Sequence, residues 1–568
     1  MKRNILIIIA FTCMAMNSCS LDEKAYTQVE MGTYIKDARQ AETVLLGIYR
    51  QMNVDDIYGL NLSMLFQLPT DEAKVEGNGL TGNRLQASNA YSTSDSYVQG
   101  SWGALYKGIY FANSFLEAMD VKMDVFTSSD KALGEVYVAE ARALRALFYF
   151  ELVRWFGHVP LITSTAQSAL HPSLFEQAAP EDVFRFIEED LKYAIDVLPY
   201  ASDDALRADN SFRISKGGAL GLLTKVYATW AGYPVCDSSR WSLAVQTAEE
   251  LIASGRHYLL TDFTQLWKNA GNNIWDSRES LLEISFYSPQ STNSSSGRVG
   301  KWNGVTAAQG SIRGNYNFAI FKVVPTFIKE WKEANEGDLR WGVSFADYKY
   351  TAADYRIALT TAKVNNVTTE ITFEMAMDDS NEYWSPDWRK GMCYLMTPAK
   401  WDTEIYVDDA NQLADNNYSN VNWYLLRYAD VLLLYAEALN EMNQGPDDKA
   451  YEAVNMVRRR GYGLNYTKPS LEADLPAGLS YEEFRDAIYA ERSYELAFEG
   501  HRRQDLIRWG IYYDRVQETY YRQMDWHELG ADYYIGALYT YRNKNELLPI
   551  PQREMDLCSR FEQNQGWK

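Results

Sequence analysis

The chain has 568 residues, 46% of them hydrophobic, and a formal net charge of −21. One hydrophobic core stops growing near about 250–300 residues, so this length predicts two lobes or an extended array. The acidic balance argues against nucleic-acid binding, which needs cations to neutralise phosphates, and against adhesion to anionic lipid; it suits a neutral ligand.

The chain starts MKRNILIIIAFTCMAMNSC, with Lys2 and Arg3 ahead of an apolar run from Ile5 to about Ala15, then small or polar residues up to Cys19. That is the pattern of a secretory leader, expected over residues 1–18. The apolar run is shorter than the roughly 20 residues that span a bilayer. Met16-Asn17-Ser18-Cys19 resembles a bacterial lipobox, with Met16 and Asn17 in place of the usual leucine and small residue. Ser20-Leu21-Asp22-Glu23 resembles the acidic export signal of some Bacteroidetes surface lipoproteins. These resemblances imply that Cys19 is lipidated and begins the mature chain. A single acyl chain holds only marginally, so a stable anchor needs more than one.

Beyond the leader the pattern is mainly helical. Met31–Met52 carries Tyr34, Ala38, Ala41, Leu45, Ile48, Tyr49 and Met52 at three-and-four spacing. Residues 102–119 and 135–156 repeat the habit, the first opening on Trp102 in phase with Leu105 and Ile109. Pro180-Glu181-Asp182 has the proline and acidic first turn of a helix start. Ser480 and Glu483 form a capping box ahead of a helix running toward Phe498. Ala219–Leu251 and Tyr435–Val457 look like helix-turn-helix repeats of the tetratricopeptide kind, with small residues where paired helices approach and Gly445-Pro446 at a turn.

Three stretches break the helical pattern: 74–97, 286–321 and 346–424. The first two are rich in Ser, Gly and Asn and carry isolated aromatics; the third is irregular and aromatic, with a possible strand at Thr368–Phe373. Long irregular segments within a compact protein are functional or disordered, and isolated Trp and Tyr favour function. The chain holds 41 Tyr and 16 Trp, more than a core must absorb. Exposed rings suit sugars, whose CH faces stack while hydroxyls find polar partners. Cys236, Cys393 and Cys558 form neither a disulfide framework nor a metal spacing and are expected as buried small hydrophobes.

Five segments then recur in order: LRALFYFELVRWFGHVPLIT at 144–163, LRYADVLLLYAEALN at 426–440, AERSYELAFEGHRRQDLIRWG at 490–510, ELLPIP at 546–551 and QNQGW at 563–567. Together with the lipobox-like start, they resemble the SusD/RagB family of Bacteroidetes outer-membrane lipoproteins over essentially the whole mature chain. Gln565, where the family usually has proline, and His158 are minor departures. The resemblance implies a mainly α fold on four tetratricopeptide-like helix pairs with a loop-rich second lobe, divided here as 19–270 and 271–568. It implies surface glycan capture and partnership with a SusC-like TonB-dependent barrel, which the lipoprotein covers like a lid.

In that family the sugar-binding positions come from the loop before the helix near Trp102 and from loops of the later lobe. Here those regions offer Asn78, Arg84, Tyr91 and Tyr97, then Tyr287, Trp302, Asn303 and Tyr316. Trp302 and Tyr316 are the expected stacking faces and Tyr97 or Tyr91 a second face. Asn78, Arg84 and Asn303 are the expected donors to hydroxyls. Tyr383, Trp384 and Trp388 form a third aromatic cluster. Each ring has a rival role as a loop anchor.

Catalysis finds little support. The five histidines are dispersed, and neither an HExxH, a Gly-x-Ser-x-Gly elbow nor a phosphate loop occurs. The densest charge group (Glu491, Arg492, Glu495, Glu499, Arg502, Arg503, Asp505 and Arg508) is expected to be a salt-bridge network locking a helix to its neighbours and not a metal or acid/base site. Trp155, Phe156 and Pro160 are expected in core and turn, and Trp509 as a core anchor. No cofactor is expected, although loop carboxylates of an acidic exported protein suit a structural calcium. Peptide capture in a tetratricopeptide-like groove, a hydrolase, and a purely structural lid are the alternatives left open.

Overall fold

The computed structural model describes residues 34–568, apart from 78, 209–210, 289–294, 309–316, 353–355, 379, 381–391, 393, 414 and 528–533. Cys19, Asn78, Tyr316 and the Tyr383–Trp384–Trp388 cluster therefore lie outside the described residues.

The predicted helices form. α1 spans Ala38–Gln51, α2 Ser96–Lys122, α3 Ser128–Phe156 and α4 Pro180–Val197. α5 and α6 span Lys216–Ala231 and Arg240–Ala253; α7, α8 and α9 span Tyr428–Asn443, Asp448–Gly461 and Tyr481–Glu495. Side-chain caps set their starts: Asp37 accepts from Gln40 N–H, Asp95 from Tyr97 and Val98, and Thr127 from Asp130. The Ser480–Glu483 capping box is present at α9. That helix stops at Glu495, three residues short of the expected Phe498, because the chain turns into left-handed conformation at Phe498 (φ 65°) and Gly500 (φ 76°).

α2 packs on α3, α3 on α4, α4 on α5 and α5 on α6. α6 then packs on α7, and α7 on α8 and α9. The array is continuous although everything between Ala253 and Tyr428 intervenes in sequence. One hydrophobic cluster runs through it from Ile35 to Trp567. Trp155, Phe156 and Trp102 lie in it.

The intervening region carries short two-stranded sheets. β1 (Ala73–Val75) pairs antiparallel with β3 (Phe321–Val323), and β2 (Ser280–Ile284) with β6 (Trp423–Arg427). β4 (Thr360–Val364) and β5 (Val367–Ile371) form a hairpin where a strand near Thr368 was expected. Of the cysteines, Cys558 is buried as expected, Cys236 is exposed, and Cys393 lies outside the described residues. Cys236 sits in the turn after α5, with φ 58° and its N–H bonded to Gly232 O at 2.8 Å, so local turn geometry holds it away from the core. Among the described residues no helix is long and apolar enough to cross a membrane.

A buried ion network ties the array to this region. Arg427, at the end of β6, reaches Glu279 (2.9 Å), Glu495 (2.8 Å) and Glu499 (2.7 Å). Arg460 of α8 reaches Glu495 (2.5 Å) and Glu279 (3.1 Å), and Lys400 reaches Glu499 (2.8 Å). Arg340 binds Glu491 (2.7 Å), Glu495 (2.9 Å) and Asp338 (2.7 Å). All of these side chains are essentially inaccessible. The Glu491–Glu495–Glu499 row thus meets a facing row of cations, as expected of a structural network.

Removing one partner of a buried pair costs about 3–5 kcal/mol, because the other charge is left unpaired. Arg427→Met should therefore lose a large part of the stability in urea denaturation; an unchanged midpoint would show that the network is dispensable. A second group makes stability depend on pH. Glu283 in β2 is buried, accepts from Ser280 Oγ (2.7 Å) and Asn422 Nδ2 (2.8 Å), and is pushed up to about 8 by burial. Its folded-state pKa lies above its unfolded value, so its contribution is complete at acid pH and is lost as pH rises through about 8. Thermal unfolding at pH 5, 7 and 9 should show the wild-type midpoint falling with pH more steeply than that of Glu283→Gln, by at most about 1.4 kcal/mol per pH unit.

Candidate functional site

The candidate face is built on the β1–β3 pair. Its register is Ala73↔Val323, Lys74↔Lys322 and Val75↔Phe321, so alternation sends one set of side chains to the core and aligns the two lysines on the other side. Glu76 N–H donates to Ile320 O (2.7 Å) and extends the pairing. The Glu76 carboxylate lies 3.6 Å from Arg84 Nη2 and 3.7 Å from Lys322 Nζ. Burial lowers the Lys322 pKa, opposed by Glu76. Arg84 also donates Nε–H to Glu76 O at 2.9 Å, which fixes the loop that carries it.

Next to Arg84, Asn83 accepts from Tyr97 OH (2.8 Å). Tyr97 stands in the first turn of α2, placed there by the Asp95 cap. Asn83 thus brings Tyr97 close to Arg84.

On the far side of β3, Phe321 N–H donates to Trp302 O (3.3 Å), which brings the loop at 297–303 beside the sheet. Trp302 is half-buried, and its indole N–H has no partner among the described residues. The Arg298 guanidinium lies 5.0 Å from the Trp302 ring and 4.4 Å from the Tyr418 ring. It donates to Asp55 Oδ2 (2.7 Å) and Tyr418 OH (2.8 Å). Phe318, 40% exposed, packs against Trp302 with centroids 6.1 Å apart at 49°. Ala319, with φ 46°, breaks the extended run just before β3, so Phe318 is turned out (40% exposed) while Lys322 within the strand is buried.

Two expected positions prove to be structural. Tyr91 is buried, stacks on Trp567 (5.4 Å, 15°) and meets Phe66 edge-on (5.7 Å). Its hydroxyl is pushed up to about 12 by burial. The loop before α2 folds inward at Tyr91 because its ring completes the aromatic packing that receives the chain's end. Asn303 is also buried; its Oδ1 accepts from Gly300 N–H (2.8 Å) and closes the turn in which Gly300 adopts φ 78°. That side chain is spent on the loop. Among the described candidates Tyr287 is the most open, at 55% exposure, one residue before Ser288, whose N–H donates to Asn420 Oδ1 (3.0 Å).

Phe318, Arg298, Tyr418 and Lys322 were not among the expected residues. No local pattern marks them: the left-handed Ala319 separates Phe318 from the alternation of β3, and Arg298 and Tyr418 meet only through long-range folding. Among the described residues no three His, Cys, Asp or Glu side chains converge to hold a metal.

Residues 279–567 match the SusD family, and residues 21–228 match a family described as starch-binding associating with outer membrane. A crystal structure of a SusD homolog from Bacteroides thetaiotaomicron is 52% identical, with TM-score 0.88, and the match covers 95% of this chain and 99% of that one. The SusD-like protein P25 of Formosa agariphila is 27% identical over 559 residues, 92% of this chain and 93% of its own. Surface glycan-binding protein A of Bacteroides thetaiotaomicron, in complex with laminarihexaose, shares the fold at TM-score 0.65 and 18% identity, covering 93% and 99% of the two chains. The helical array, its ion network and these likenesses agree: the chain belongs to the SusD family.

Proposed function

We propose that this protein is a lipid-anchored cell-surface protein of the outer membrane that binds an oligo- or polysaccharide and passes it to a SusC-like TonB-dependent barrel. The observation that carries the glycan reading is an exposed ring close to hydrogen-bonding groups about the β1–β3 pair: Phe318, packed on the half-buried Trp302, at one side, and Arg84 with Tyr97 at the other. Family membership supports it, as does the laminarihexaose complex of the more distant surface glycan-binding protein A.

The mechanism is binding without chemistry. Pyranose CH faces stack on Phe318 and Tyr97, while Arg84 donates to hydroxyls. Arg298 covers one side of Trp302 and holds the ring still, and Phe318 is the more exposed of the two rings. The carboxylates at this face, Glu76 and Asp55, are each engaged by cations, which suits positioning and not acid/base work. Affinity at a single site of 1 mM to 1 µM corresponds to roughly −4 to −8 kcal/mol, weak enough for release into a transporter.

Native affinity electrophoresis of the mature protein lacking Cys19, through gels holding laminarin, starch, xylan, mannan and pectin, tests this reading. Retardation by one polysaccharide class is expected, reduced roughly fivefold in apparent affinity by Phe318→Ala, the value of about 1 kcal/mol of aromatic contact. Migration unchanged in every gel would remove the glycan reading. Cys19→Ala should release the protein from the membrane fraction; continued membrane attachment would remove the lipid anchor.

A further inference from the structure

A second aromatic groove lies along another face of α2. Trp102, Tyr106 and Tyr110 follow at four-residue intervals and so share one side of the helix. Phe175 and Phe561 face them across a cavity of about 380 Å³. That volume falls in the range of small-molecule sites, roughly 300–1,000 Å³. Tyr110 is 45% exposed at the mouth. Leu170, Leu174 and Leu557, in the segments that form the walls, are also exposed.

The groove holds one carboxylate that has no donor from the described residues and is left to solvent or a ligand. Glu554 lines it, half-buried, and among the described residues no side-chain or backbone donor bonds its carboxylate. Burial raises its pKa, with Arg553 opposing. Tyr106 OH does not serve it, being donated to Pro160 O at 2.8 Å. A carboxylate kept among rings without a donor is an acceptor for a ligand's donors. Two ligand chemistries offer donors to such a group, a hydroxyl-rich ring and an ammonium. Lys107 lines the same groove and its charge opposes a second cation, which leaves the hydroxylated ring.

We propose that this groove is a second carbohydrate subsite, in which a pyranose ring stacks on Tyr110 and Tyr106 and donates hydroxyls to Glu554. Tyr97 of the first face and Tyr110 lie on one helix, thirteen residues apart in sequence, about 20 Å along its axis and about 140° around it, so a polymer that reaches both passes round the helix. Two subsites at that separation engage one polymer at two points and raise avidity without a stronger contact at either. The inference rests on the glycan reading of the first face.

The test uses the same gels, with laminarin, starch, xylan, mannan and pectin as probes and trilysine as competitor. In the gel that retards the wild type, Tyr110→Ala and Glu554→Gln should each weaken retention, Tyr110→Ala by about tenfold in apparent affinity. Tyr110 is exposed and Glu554→Gln keeps the shape, so circular dichroism should be unchanged in both. Phe318→Ala should leave residual retention that Phe318→Ala/Tyr110→Ala abolishes. Wild-type retention in Tyr110→Ala and Glu554→Gln, or relief of retention by trilysine in wild type but not in Tyr110→Ala, would overturn the second subsite while leaving the first. Absence of retention in every gel would overturn both.

Discussion

The constraint on which the rest depends is the set of charges sealed between the helical array and the loop-rich region. Arg427, Arg460, Arg340 and Lys400 face Glu279, Glu491, Glu495, Glu499 and Asp338 with no access to water. Taking such ions out of water is costly, and only close, many-sided pairing offsets it. Each carboxylate therefore needs its cations, and these come from four separate places: β6, α8, and the segments around 340 and 400. An apolar core tolerates sliding; a multidentate ion lattice does not. Its contribution is better described as fixing one arrangement than as adding net stability.

That arrangement positions the candidate face. Glu72 stands beside β1, bonded to Phe498 N–H (3.3 Å) at the turn that follows α9 and 3.8 Å from Arg502. The sheet on which Arg84, Lys322 and Phe318 depend is thus referred back to the end of the helix that carries the ion row. The second link is Arg298, which bridges Asp55 of the first region and Tyr418 of the later one while lying against Trp302. The rings of this face are held by charges from both sides of the chain, so their geometry is set before any ligand arrives.

The scaffold was legible because helices announce themselves locally. Spacing of Ala41, Leu45 and Ile48, the Pro180 start and the Ser480 box depend on neighbours within a turn or two, and the helices fall where those signals put them. The face was less legible because its pairings are long-range. Tyr91 and Trp302 are both aromatic residues in irregular segments, and nothing local distinguishes the one that packs on Trp567 from the one that lies against Arg298. Asn303 resembled a sugar donor, but a neighbouring glycine's positive φ made it a turn clasp. Phe318 carries no local signal either, because its exposure follows from the left-handed Ala319 just ahead of a strand whose partner, Ala73–Val75, lies far earlier in the chain.

The junction of α6 with α7 gives the architecture a further property. The two helices are neighbours in the array, yet the whole segment from Ala253 to Tyr428 departs and returns between them. It behaves as an insertion whose ends are clamped by the scaffold. The entropy of closing such a loop rises only with the logarithm of its length, about 0.6 kcal/mol for each doubling. Residues can thus be added to or removed from its outer turns at little thermodynamic penalty, provided Glu279, Arg340, Lys400 and Arg427 keep their places. The molecule separates what must stay constant from what is free to drift, and leaves its outer surface open to rapid diversification on an unchanged frame.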